Sequence, residues 1–151
     1  FSGHTHLQIE IKSNERNLSE IILISLQKNL WMDNYNKTPY SVPGFSLTSF
    51  NINQVLAVKK LEPSINVGWL IEKDEKEKHL LEFLLDNNID MYIPNVSSSF
   101  WKNIELKNSL AEKNITLCAW GAKTLTDVKK MKVAGAEAMT VDWPDEAIKF
   151  I

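Results

Sequence analysis

The string LQIEIKS, Leu7 to Ser13, holds the two side chains best suited to chemistry, Glu10 and Lys12. They stand two residues apart in a run that alternates apolar and polar positions, so in a strand both face the same way. A carboxylate beside an ammonium suits a divalent cation next to a phosphate or similar anion: the metal takes oxygen ligands and the lysine supplies a point charge. The same spacing suits an internal ion pair, and Glu-x-Lys alone does not separate the two readings. Trp120 has the parity of Cys118 at the end of another apolar run, where its ring can wall a small-molecule site or close the core. Cys118, the single cysteine, reads as a small buried apolar group, because no histidine precedes a matching strand end. His4 and His6 precede the first strand, at its N-terminal mouth, and read as an exposed lead-in rather than a metal site. His79 falls among Glu and Lys on a solvated helix face. Asn-x-Ser/Thr triplets begin at Asn17, Asn36, Asn95 and Asn114, as an asparagine-rich chain produces by chance.

The elements that must position these groups alternate along the chain. Short β-branched runs are expected as strands at Leu7 to Lys12, Phe45 to Phe50, Ile65 to Ile71, Ile89 to Pro94, Ile115 to Gly121 and Ala138 to Asp142. Amphipathic stretches follow at Leu18 to Leu30, Ile52 to Leu61, Asp74 to Asn87, Phe100 to Lys113, Leu125 to Ala134 and Glu146 to Ile151. Asn17, Asn51, Ser99, Thr124 and Asp145 stand where a side-chain oxygen would cap the next helix, and Gly135 where a left-handed residue ends one. Asp33 to Pro43 is an irregular αβ loop. Strand followed by helix, repeated, is the pattern of a parallel α/β sheet. The strands alternate too strictly for an open sheet covered on both faces, which favours a TIM-type barrel with a partly polar lumen. In a barrel of that kind the C-terminal strand ends carry the chemistry, which gathers Glu10, Lys12, Ser49, Phe50, Asn95, Trp120 and Asp142 at one mouth.

Composition narrows the function classes. With 17 basic and 19 acidic residues the net charge is -2, so no long-range attraction to nucleic acid or an anionic membrane is expected. One cysteine excludes an intramolecular disulfide and a cysteine-built zinc cluster. No apolar run reaches the roughly 20 residues of a membrane span, and no signal-peptide pattern leads the chain, so a soluble and cytoplasmic protein is expected.

LQIEIKS resembles the third-strand motif of the glycerophosphodiester phosphodiesterase family. LTSFN (Leu47 to Asn51) is similar to that family's fourth-strand Ser-Phe motif, LEPSINVGWL (Leu61 to Leu70) to its strand-five entry, and LCAWGA (Leu117 to Ala122) to its strand-seven Trp motif. AGAEAMTVDWPD (Ala134 to Asp145) resembles the closing Gly...Thr-Asp-x-Pro segment, with Val141 where the family usually has threonine. The resemblance implies an incomplete β/α barrel over residues 1–151, its six βα units matching strands three to eight. It also implies metal-dependent hydrolysis of glycerophosphodiesters to glycerol 3-phosphate and an alcohol, with calcium or magnesium as cofactor. By it, Glu10 is a metal ligand, Lys12 contacts the phosphoryl oxygens, and Phe50 and Trp120 form the apolar wall beside glycerol. The family's His-Arg-Gly string, its other acidic ligands and its second histidine have no counterpart in this sequence, so the chain alone is expected to be inactive. The alternative is a degenerate barrel acting in binding or assembly, a homo-oligomer formed through exposed strand edges.

Overall fold

The computed structural model describes residues 5–33, 38–72 and 79–150. Among these residues six strands and six α-helices alternate: β1 (His6–Glu10), α1 (Leu18–Lys28), β2 (Gly44–Ser49), α2 (Ile52–Leu61), β3 (Val67–Ile71), α3 (Leu80–Asp86), β4 (Met91–Pro94), α4 (Ile104–Glu112), β5 (Thr116–Ala119), α5 (Leu125–Ala134), β6 (Ala138–Met139) and α6 (Pro144–Ala147). The strands are neighbours in chain order, and β1/β2, β2/β3 and β5/β6 pair in parallel. The fold is α/β, a run of TIM-type βα units.

The chain divides into two compact units, one of Phe1–Trp69 with Leu84–Met91, the other of Leu70–Phe83 with Tyr92–Ile151. In the first, β2 is buried along its whole length. Phe45 and Leu47 of β2 are buried, as are Val55 and Val58 of α2, Ile65, Val67 and Leu84. The β1/β2 register sets Gln8 opposite Ser46 and Glu10 opposite Thr48. Asp90 joins this unit through its carboxylate, which accepts the Val67 N–H at 2.8 Å and pairs with Lys59 at 2.8 Å. In the second unit Tyr92, Ile93, Phe100, Trp101, Leu110, Leu117, Val128 and Met131 are buried. The Phe100 ring lies edge-on to Tyr92 at 5.0 Å and to Trp101 at 5.3 Å.

Local signals explain where elements start and stop. Asn51 caps α2 by accepting the Asn53 N–H, and Thr124 and Asp127 form a reciprocal capping box on α5. The Lys123 backbone N–H, then the Thr124 hydroxyl and N–H, hold the Asp127 carboxyl below its ordinary value of 3.8. Gly135 ends α5 at φ 92°, a left-handed conformation that costs glycine little.

Other expected boundaries shift. Asn17 takes a helical conformation and makes no side-chain cap, and α6 starts behind Trp143 with Pro144 in its first turn, in place of a cap at Asp145. The expected helix Phe100 to Lys113 is two elements, a 3₁₀ turn Ser99–Lys102 capped by Ser98 and α4 capped by Asn103. Asn103 interrupts them because its side chain accepts the Leu106 N–H, which requires an extended rather than a helical backbone. The last strand is two residues long, leaving Asp142 exposed beyond it. Lys12 likewise lies past the end of β1. The sequence stretch 73–78, where the third helix was expected to begin, and 34–37 of the αβ loop fall outside the described residues.

Candidate active site at the end of the first strand

Glu10 closes β1, and the pairing continues one residue further: the Ile11 N–H donates to the Thr48 carbonyl at 2.7 Å, and the Ser49 hydroxyl donates to the Ile11 carbonyl at 2.7 Å. Ile11 is buried, so the backbone between Glu10 and Lys12 is held on the core while both flanking side chains turn away from it. Lys12 Nζ lies 3.5 Å from Glu10 Oε2, with the lysine side chain 80% and the glutamate side chain 32% exposed. Among the described residues the pair meets solvent, where such contacts contribute on the order of 1 kcal/mol or less. Its two charges remain accessible to a ligand.

Phe50 follows β2 and is 40% exposed. It lines the same open recess, of about 600 Å³, as Glu10, Lys12, Asn14 and Asn51. The structure thus brings together Glu10, Lys12 and Phe50, three of the four residues singled out for metal or substrate, within the first unit. Ser49, expected at the mouth, is 1% exposed and uses its hydroxyl on the Ile11 carbonyl and the Asn51 N–H. Asn14 and Asn51 were missed: the Asn51 Nδ2 donates to Asn14 Oδ1 at 2.6 Å and ties the β1–α1 loop to the start of α2. Only the cap position of Asn51 was visible in the sequence. The two asparagines also line a second recess, of about 510 Å³, with Arg16 and Gln54.

Trp120 belongs to the second unit. Its main chain is bonded on both sides, N–H to the Pro94 carbonyl at 3.3 Å and carbonyl from the Val96 N–H at 3.0 Å, and its indole N–H donates to the Ile71 carbonyl at 2.8 Å. That carbonyl also accepts the Asn95 N–H at 3.2 Å, and the Asn95 side chain is occupied by the Ser97 N–H and hydroxyl. Trp120 is half-buried.

The histidine expectation is corrected at His6, while His4 lies outside the described residues. His6 is the first residue of β1, half-buried, with Nδ1 3.0 Å from the Ser41 carbonyl and Nε2 3.1 Å from the Ser46 hydroxyl. A carbonyl only accepts, so Nδ1 carries the proton and Nε2 accepts from Ser46. Both nitrogens are consumed in joining the 38–43 segment to β1 and β2. Cys118 is buried, as read, and His79 is exposed beside Glu82.

Among the described residues no group of three His, Cys, Asp or Glu side chains converges to hold a metal ion. Calcium and magnesium take about six or more oxygen ligands, and among the described residues Glu10 is the only carboxylate lining its recess. The described residues therefore do not by themselves fit a divalent cation. No described helix is long and apolar enough to cross a membrane.

The run of parallel βα units is a fold shared with proteins of known structure. No protein-family model and no curated protein matches the sequence. Among solved structures, it is similar to a glycerophosphodiester phosphodiesterase from Parabacteroides distasonis, with TM-score 0.76 and 15% identity over 95% of this chain and 56% of that one. A phosphodiesterase from Oleispira antarctica, solved with the product sn-glycerol-3-phosphate, matches with TM-score 0.72 and 18% identity over 96% of this chain and 54% of that one. A glycerophosphodiester phosphodiesterase from Thermotoga maritima gives 0.69 and 14% over 95% and 57%. At such identities the likeness is one of fold, and the chain spans little more than half the length of these proteins.

Proposed function

We propose that this chain is the part of a glycerophosphodiester phosphodiesterase-type barrel that contacts the phosphoryl group, acting in a protein that cleaves glycerophosphodiesters to glycerol 3-phosphate and an alcohol. The observation that carries the reading is the exposed Glu10 and Lys12 pair at the end of β1, opening on a recess shared with Phe50. Lys12 provides a mobile cation for the phosphoryl oxygens, whose negative charge grows as water attacks phosphorus and the alcohol leaves. Phe50 offers an apolar surface to the carbon face of glycerol, and Trp120 is proposed, on the resemblance alone, as a further contact. On the resemblance alone, Glu10 would supply one carboxylate to a calcium or magnesium ion. General acid and base work, which the resemblance gives to histidines, is not assigned to any residue of this chain.

Titration of the chain with sn-glycerol 3-phosphate tests the lysine. Lys12→Met is expected to weaken binding about tenfold or more while leaving the unfolding midpoint near wild type, since the ion pair it removes is exposed. In a protein that joins this chain to strands carrying the missing motifs, hydrolysis of glycerophosphocholine with calcium or magnesium tests the carboxylate. Full activity of Glu10→Ala there would sink the metal role, and an ordered dimer of the chain indifferent to metal would favour an assembly module instead.

A further inference from the structure

Gln54 lies in the first turn of α2 and is 4% exposed. A buried primary amide is costly unless its hydrogen-bonding groups are used, and here they are. Its Oε1 accepts the Ser19 hydroxyl at 2.6 Å, and its Nε2 donates to the backbone carbonyls of Ser13 at 3.0 Å and Glu15 at 2.9 Å. Those carbonyls flank Asn14, whose own side chain is held by Asn51 at 2.6 Å. Upstream, Ile11 is held by Thr48 and Ser49. The backbone that leads from Glu10 through Lys12 to Glu15 is thus fastened before and after Lys12, and the later fastening comes from the first turn of α2. Gln54 itself does not line the recess that holds Glu10 and Lys12.

We propose that Gln54 is a positioning residue: by holding the Ser13 and Glu15 backbone it keeps Lys12 and Asn14 preformed around a phosphate monoester of the glycerol 3-phosphate class. The inference rests on the phosphoryl role proposed for Lys12. A long lysine loses rotamer freedom on binding, and a loop that also had to be ordered would lower affinity further. Fixing the loop in the free protein removes that second cost.

Two variants separate positioning from mere support. Gln54→Met keeps the length of the side chain and removes all three bonds, whereas Ser19→Ala removes only the bond that does not reach the loop. Amide exchange is compared at Glu15 and Leu18, whose N–H groups donate to the Ser13 hydroxyl and the Glu15 carbonyl. The amides of Ile11 and Leu47, bonded to Thr48 and Asn66, report whether the unit is still folded. Gln54→Met is expected to speed exchange at Glu15 and Leu18 on the order of tenfold relative to Ser19→Ala, with Ile11 and Leu47 unchanged, and to raise the Kd for sn-glycerol 3-phosphate by a similar factor. A supporting role alone would move both variants alike, so equal exchange and equal affinity overturn the proposal. If the wild-type chain does not bind sn-glycerol 3-phosphate, the phosphoryl role of Lys12 fails, and the exchange comparison still decides whether Gln54 holds the loop.

Discussion

The ends of β1 and β5 place their candidate side chains in opposite circumstances. After β1, the backbone is held at Ile11 while Lys12 reaches into solvent, 80% exposed and loosely paired with Glu10. After β5, the main chain of Trp120 is bonded on both sides and its indole N–H is bonded as well. Trp101 braces the same region, donating its indole N–H to the Asn95 carbonyl at 2.9 Å. A charged group that must meet a ligand gains from a fixed root and a free tip; an aromatic surface gains from being fixed throughout, because it contributes shape rather than reach. The two strand ends should therefore respond differently to substitution, the β5 end in stability and the β1 end in binding.

The largest effect is expected at the β5 end. Trp101 is 5% exposed and edge-on to Phe100, so Trp101→Ala should cost about 3–5 kcal/mol in denaturant unfolding. A loss comparable to that of the exposed Lys12→Met would erase the contrast. Gly121, the residue after Trp120, has φ 82°, and an added Cβ would lie 2.7 Å from Asn95 Nδ2. Gly121→Ala is expected to cost about 1–2 kcal/mol from the left-handed backbone, and a neutral result would mean that the turn after β5 is less constrained than its bonds imply. The smallest effect concerns the other end of that turn, where Asp127 receives the Lys123 and Thr124 N–H groups. Because its pKa is lowered on folding, its contribution is present above the ordinary value of 3.8 and is lost as pH falls through the folded value below it. Melting temperature followed from pH 5 downward should fall less in Asp127→Asn than in wild type, and parallel curves would remove this anchor from the account.

Much of the fold is legible along the chain because it depends on local periodicity and caps. The boundaries of α2 and α5, the cap at Asn51, the box at Thr124 and the glycine stop at Gly135 each depend on residues within a few positions of one another. Asn17 fails as a cap although its residue type is right, because its backbone is already helical. Ser99 misses by one position for the 3₁₀ turn, and the α-helix beyond takes Asn103 instead. The site was half legible. Glu10 and Lys12 share a face by parity, but His6 and Gln54 take their roles from partners 35 or more residues away. A glutamine on an amphipathic helix ordinarily faces water, and nothing in its neighbours marks this one as buried.

Sequence alone determined the alternation of strand and helix, the side of β1 on which Glu10 and Lys12 emerge, and that these 151 residues hold no disulfide between themselves, since these follow from periodicity and composition. Only the tertiary structure decided that the Glu10 and Lys12 pair meets solvent, that Ser49 and His6 are spent on structural hydrogen bonds, and that Gln54 grips the loop after Lys12. Exposure and hydrogen-bond partnership depend on which distant backbone atoms come within about 3 Å, and a periodic pattern holds no record of that.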